Sequence, residues 1–133
     1  MDSNSLADEG VKMIRIELPY LPPASFSPNS RCHWTKRHRD GKVVANNVFY
    51  LLREQFATIP LLKQINLRYR IVVPDRRRRD YENFVARCKP CTDALVKAGL
   101  IPDDAPQYVL DYKLVFEVVK RKSATIIEIE VKK

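Results

Sequence analysis

Residues 65–99 read INLRYRIVVPDRRRRDYENFVARCKPCTDALVKAG, and this stretch decides the fold class. Ile65, Leu67, Tyr69 and Ile71 alternate with Asn66, Arg68 and Arg70, the period-two pattern of a strand. Pro74 stops it. Asp80 then offers an N-cap, and Phe84, Cys88, Cys91 and Leu95 recur at i, i+4, i+7 and i+11 on one helical face. Gly99 is the expected stop of that helix. Pro90 falls inside the pattern and should kink the helix or divide it into two pieces.

Working outward, Ile14, Ile16 and Leu18 alternate with Arg15 and Glu17, which predicts a first strand. Residues 19–41 contain Pro19, Pro22, Pro23 and Pro28 with several serines and read as a long loop, a length usually tied to function or mobility. Val44, Val48, Leu51, Leu52 and Phe56 predict a helix over 43–56, with Pro60 beyond its end. After a Pro/Asp turn at 102–106, residues 109–119 and 125–131 read as a closing hairpin turning near Arg121, Lys122 and Ser123. The order strand, loop, helix, strand, helix, strand, strand predicts an α/β fold of the α+β kind, one mixed β-sheet flanked by helices. Residues 1–10 are expected to be a flexible acidic tail, and 11–133 a single domain.

The chain has 133 residues, 45% of them apolar, which suits one domain with a real core and excludes wholesale disorder. Its apolar runs are too short to cross a bilayer, and MDSNSLADEG is wrong for a secretory signal. Three cysteines do not make a disulfide scaffold. The expected setting is therefore cytoplasmic, with no membrane partner. Lys and Arg number 24 against 16 Asp and Glu, a net charge of +8 that suits a polyanion such as nucleic acid or an acidic membrane. The membrane is the weaker reading, because no helix here joins a basic face to a strongly apolar one. The bases form two clusters: Arg31, Lys36, Arg37, Arg39 and Lys42, then Arg76, Arg77, Arg78 and Arg79 with Arg68 and Arg70 upstream.

Directly after the four arginines come Asp80 and Glu82. Two carboxylates converging where an extended segment enters a helix form a natural Mg²⁺ site, since Mg²⁺ takes hard oxygen ligands and keeps its waters. Asp103 and Asp104 occupy the turn after the helix. A straight helix would hold them away from Asp80 at about 1.5 Å per residue, and a kink at Pro90 or a dimer partner would bring them back. The bland alternative makes Asp80 a cap and Asp103 and Asp104 turn formers. Cys88 and Cys91 form a C-x-x-C, open to a redox role or, with Cys32 and His33, to zinc. Cys88 is expected inside the helix on its apolar face, where a cysteine is ordinarily buried and inert. His33 and His38 flank Trp34 without a nearby carboxylate to orient them. That loop reads as DNA-contacting, with Arg31, Lys36, Arg37 and Arg39 on phosphates and Trp34 and Phe26 stacking on bases. The alternative is that Trp34 packs the loop onto the core. Arg76 to Arg79 bind phosphates or form a solvated turn.

The order of these elements, PDRRRRDYEN followed by KPCTDALVKAGLIPDD, closely resembles the RusA family of Holliday-junction resolvases. The shared pattern is a basic run, D-x-D-N (here Asp80-Tyr81-Glu82-Asn83), a lysine (Lys89) four residues before D-A-L (Asp93-Ala94-Leu95), A-G (Ala98-Gly99) and D-D (Asp103-Asp104). Glu17-Leu18-Pro19, Pro22-Pro23 and Asn29 look like the family's first strand and proline loop, so the resemblance runs from about residue 13 to 131. It implies a homodimeric nuclease of phage or bacterial origin, dependent on Mg²⁺ or Mn²⁺, that binds branched four-way DNA and cuts it symmetrically. It also implies metal ligation by Asp80, Glu82 and Asp104 and a catalytic role for Lys89, with Asp93, Asp103 and Asn83 as supporting residues. Two departures stand out. Glu82 replaces the usual aspartate, one methylene longer. Glu82 to Asp93 spans eleven residues, read as an extra helical turn, with Arg87 as the alternative to Lys89.

Overall fold

The computed structural model describes residues 13–132, so the acidic tail expected over 1–10 lies outside the described residues. The strands are β1 (Met13–Leu18), β2 (Gln64–Val73), β3 (Val109–Val118) and β4 (Ala124–Lys132). The helices among the described residues are α1 (Trp34–Gln55), α2 (Tyr81–Arg87) and α3 (Lys89–Lys97), with a 3₁₀ turn at Ala24–Phe26. The strands form one mixed sheet in the order β1-β4-β2-β3, which is the α+β architecture expected.

Alternation sets the sheet's two faces. Ile65, Leu67, Tyr69, Ile71 and Val73 of β2, with Ile127 and Ile129 of β4 and Ile14 and Ile16 of β1, point into the core. Val44, Val48 and Leu52 of α1 recur every four residues on the buried side of that helix, which packs against α3 and β1. α3 buries Cys91, Ala94 and Leu95. Fully burying one Leu is worth about 1.5–3 kcal/mol, and Leu95→Ala should cost about 2–5 kcal/mol once its cavity is included. Tyr69 is wholly buried, and its hydroxyl meets Thr92 Oγ1 at 2.7 Å, so a polar pair inside the core is satisfied.

The opposite face of the sheet is charged. Arg70 pairs with Glu117 and Glu128, and Arg68 with Glu128. Beside them Val72, Ala124 and Ile126 form a small second apolar cluster.

Three expectations need correction. The helix expected over 43–56 begins at Trp34. Its first turns, through Arg39, are exposed all round, so no apolar period marks them. The cap is His33, whose Nδ1 accepts from Thr35 N–H at 3.2 Å, a residue absent from the usual Ser, Thr, Asp and Asn set. The closing hairpin does not form: β3 runs parallel to β2, while β4 lies antiparallel between β1 and β2. Residues 119–123 step over the end of β2, where Val119 N–H donates to Val73 O at 3.0 Å. Two strand spacings are only about 10 Å, well within reach of five residues. Arg121 takes a left-handed φ of 63° to make that turn. Cys88, expected within a helix, sits at the junction of α2 and α3, where the helical segment divides two residues before Pro90.

Candidate nucleic-acid and metal site

The segment after β2 is organised by a carboxylate that the sequence reading passed over. Asp75 accepts from Arg77 N–H at 3.0 Å, pairs with Arg77 Nη2 at 3.2 Å and with Arg79 Nη2 at 3.0 Å. Arg79 also donates to Asp75 O and Arg77 O, and its side chain is only 13% exposed. The hydrogen bonds from Arg77, then the one from Arg79, hold the Asp75 carboxyl at about 2. Arg76 and Arg78 are exposed and enter no ion pair among the described residues. The arginine run therefore divides into two residues paired to Asp75, of which Arg79 is largely buried, and two exposed residues without an ion pair.

Asp80 is the N-cap of α2, with Oδ1 accepting from Glu82 N–H at 2.9 Å and Asn83 N–H at 3.2 Å. The capping role weighed for Asp80 is thus real, and it fixes the carboxylate beside the helix start. Asp80 and Glu82 are both exposed. A cleft of about 600 Å³ is lined by Arg78, Arg79, Asp80 and Tyr81, placing guanidinium and carboxylate groups on one opening.

Arg87 and Lys89 lie two residues apart and serve different ends. Arg87 donates to Pro22 O from Nε at 2.9 Å and Nη2 at 2.6 Å, and its guanidinium stacks 4.2 Å over the Phe84 ring. Burial lowers its pKa. That side chain ties the proline loop to α2. Lys89 is 63% exposed at the first position of α3 and meets Asp93 at 3.5 Å. A cation at a helix start opposes the macrodipole, and Lys preceding Asp is the weaker order for an i,i+4 pair. Helix stability does not account for Lys89.

The structure leaves the second acid pair apart from the first. Asp103 and Asp104 are exposed, and Asp104 N–H donates to Asp103 Oδ1 at 2.8 Å. Their turn is flanked by bonds from Leu62 N–H to Leu100 O and from Ile65 N–H to Tyr108 O, which stitch it to the N-terminal end of β2. Asp80 is reached from that strand's other end. Among the described residues, no three His, Cys, Asp or Glu side chains gather as a metal site. The division near Pro90 does not bring Asp104 to Asp80 and Glu82 within one chain.

The same holds for zinc at Cys32, His33, Cys88 and Cys91. Cys88 stands at the start of α3, the place a redox cysteine favours, yet it is fully buried. Burial drives its thiol well above the usual range and pushes Cys91 up to about 12, so both stay protonated and unreactive.

In the first basic cluster, Lys36 pairs with Asp40 at 3.2 Å, and Asp40 accepts from Ser25 Oγ at 2.7 Å. Arg37 donates to Ser25 O and stacks on Phe26. Arg31, Arg39 and Lys42 are exposed. Trp34 is 70% exposed, which rules out the packing role weighed for it.

No family model matches the chain. Curated relatives do, and they are crossover junction endodeoxyribonucleases. The RusA enzymes of Escherichia coli K12 and Enterobacteria phage 82 are each 35% identical over 105 residues, covering 75% of this chain and 79% of theirs. That of Shigella sonnei matches to the same extent. The chain belongs to the RusA family. No helix among the described residues is long and apolar enough to cross a membrane.

Proposed function

We propose that the protein is a homodimeric endonuclease that resolves four-way (Holliday) junctions by paired symmetric nicks, hydrolysing phosphodiesters with Mg²⁺ or Mn²⁺. The observation that carries this reading is the meeting of Asp80 with Arg78 and Arg79 at one cleft, with Glu82 exposed two residues on. Mg²⁺ commonly takes one or two carboxylates and completes its shell with waters and substrate phosphate. Asp80 and Glu82 fit that donor set, and a DNA phosphate or Asp104 from a second chain fits the remainder. Held there, such an ion would supply an acidified water and positive charge beside the phosphate. The chain's own groups do the rest. Arg76 and Arg78 hold phosphates, the cap bonds orient Asp80, and Asp103 orients Asp104. Asp93 steadies Lys89, whose ammonium adds positive charge as the phosphate gains negative charge. Two-fold symmetry suits paired nicks across a crossover.

The test is an end-labelled junction incubated with Mg²⁺, Mn²⁺ or chelator, comparing the parent with Asp80→Asn and Asp104→Asn. Metal-dependent paired nicks lost in both variants support the proposal. Mixing the two variants sharpens it: if Asp104 acts across the dimer, mixed dimers regain one site and give single nicks. A second reading, a junction-binding module without chemistry, is favoured by Glu82 in place of aspartate and by the lack of a three-acid cluster among the described residues. Tight junction binding without nicks under either metal would establish it.

A further inference from the structure

A cleft of about 300 Å³ lies between the N-terminal half of α1 and α3, separate from the Asp80 opening. Gly41, Ala45 and Pro90 line it, and their small side chains leave the space open. Gly41 faces the Phe26 ring, another part of the lining: a Cβ at Gly41 would stand 3.4 Å from Phe26 Cζ. Trp34 stands over the cleft, 70% exposed, touching only the tilted His33 ring 5.6 Å away among aromatic partners. Arg37, Lys42 and Lys97 add three cations to the rim. The one acid, Asp93, is engaged by Lys89 at 3.5 Å, so the cleft adjoins the lysine assigned above to the chemistry.

An exposed indole beside cations is a surface for stacking a base while its flanking phosphates are neutralised. The volume sits at the low end of small-molecule pockets, enough for one base and too small for a duplex. Bases inside a duplex have no free face to offer. We propose that this cleft holds a single unpaired nucleobase of branched DNA, stacked on Trp34 next to Lys89. The inference rests on the junction-nuclease reading for its ligand and is testable apart from it.

Trp34 is the only tryptophan of the chain, so its emission reports on this cleft alone. The full chain would be titrated with oligothymidylate, with an abasic strand of equal phosphate number, and with a blunt duplex. Oligothymidylate should quench the emission, while the abasic strand and the duplex bind without comparable quenching. Trp34→Ala should weaken oligothymidylate binding about 5- to 100-fold, the range one stacked base supplies, and Trp34→Phe should retain most of it. Equal quenching by the abasic strand, or unchanged affinity in Trp34→Ala, overturns the inference. Base-dependent quenching in a protein that never cuts junctions keeps the inference and sinks the nuclease reading. Junction cutting without base-dependent quenching does the reverse.

Discussion

Six arginines between positions 68 and 79 make the denser of the two basic stretches, yet the chain itself answers most of that charge. Arg68 and Arg70 are matched by Glu117 and Glu128 across the sheet, and Arg77 and Arg79 by Asp75. Of these six, Arg76 and Arg78 face solvent and enter no ion pair among the described residues. The sparser stretch at 31–42 keeps Arg31, Arg39 and Lys42 exposed and surrounds them with Trp34, Phe26 and a cleft. Local charge density is thus a poor guide to how much charge remains for DNA. What counts is whether a carboxylate comes within reach after folding, which cross-strand register decides for Arg68 and Arg70 and the loop after β2 for Arg77 and Arg79.

The same contrast recurs between Arg87 and Lys89, and it yields the largest expected effect. Lys89→Ala should lower junction cleavage by about a hundredfold or more, typical for removing one positioned charge-stabilising group, with little change in melting temperature. Arg87→Ala should do the opposite to stability, costing about 1.5–3 kcal/mol as its charged hydrogen bonds to Pro22 O are lost. Thermal melts and single-turnover cleavage of both variants separate the roles; a large stability loss in Lys89→Ala would break the comparison.

Salt dependence sharpens the contrast among the arginines. Arg76→Ala and Arg78→Ala should each reduce the slope of log K against log salt by about 1. Arg79→Ala should perturb the loop instead, seen as lost cleavage out of proportion to any change in slope. A uniform change across the whole run would mean that Asp75 does not organise it. The Asp75 carboxyl is depressed to about 2 from 3.8, so its contribution is present above about pH 4 and lost as pH falls toward 2. The loop should therefore behave alike from pH 5 to 9.

The smallest effects concern the thiols. Cys32 alone should react with a thiol reagent in the native protein at neutral pH, and all three cysteines after unfolding. Cys91 is raised by burial from 9.0 to about 12, and Cys88, Tyr69 and Tyr112 are raised as well. Stability from these protonated groups is intact below about pH 9 and lost as pH rises toward 12, so the melting temperature should fall across that interval.

The sequence by itself determined the element types wherever a buried face imposes a period. β1 and β2 were legible from alternation, the 80–99 helix from i, i+4 spacing, and its division from Pro90. The capping position of Asp80 and its adjacency to Glu82 were equally plain, because both depend on neighbours along the chain. The first nine residues of α1 were not legible, since a stretch with no buried residue has no apolar period and a histidine cap carries no common signal. The insertion of β4 between β1 and β2 was hidden too, because alternation says which face is buried and not which strand lies alongside. The folded loop decided that Asp75 claims two arginines, and tertiary structure alone that Arg87 is spent on Pro22. It also set the two acid pairs toward opposite ends of β2 and left Trp34 uncovered over a cleft. The Arg87–Pro22 tie, the placing of the acid pairs and the exposure of Trp34 turn on distances between residues far apart in sequence, while Asp75 meets its arginines through a loop geometry that no periodic pattern marks.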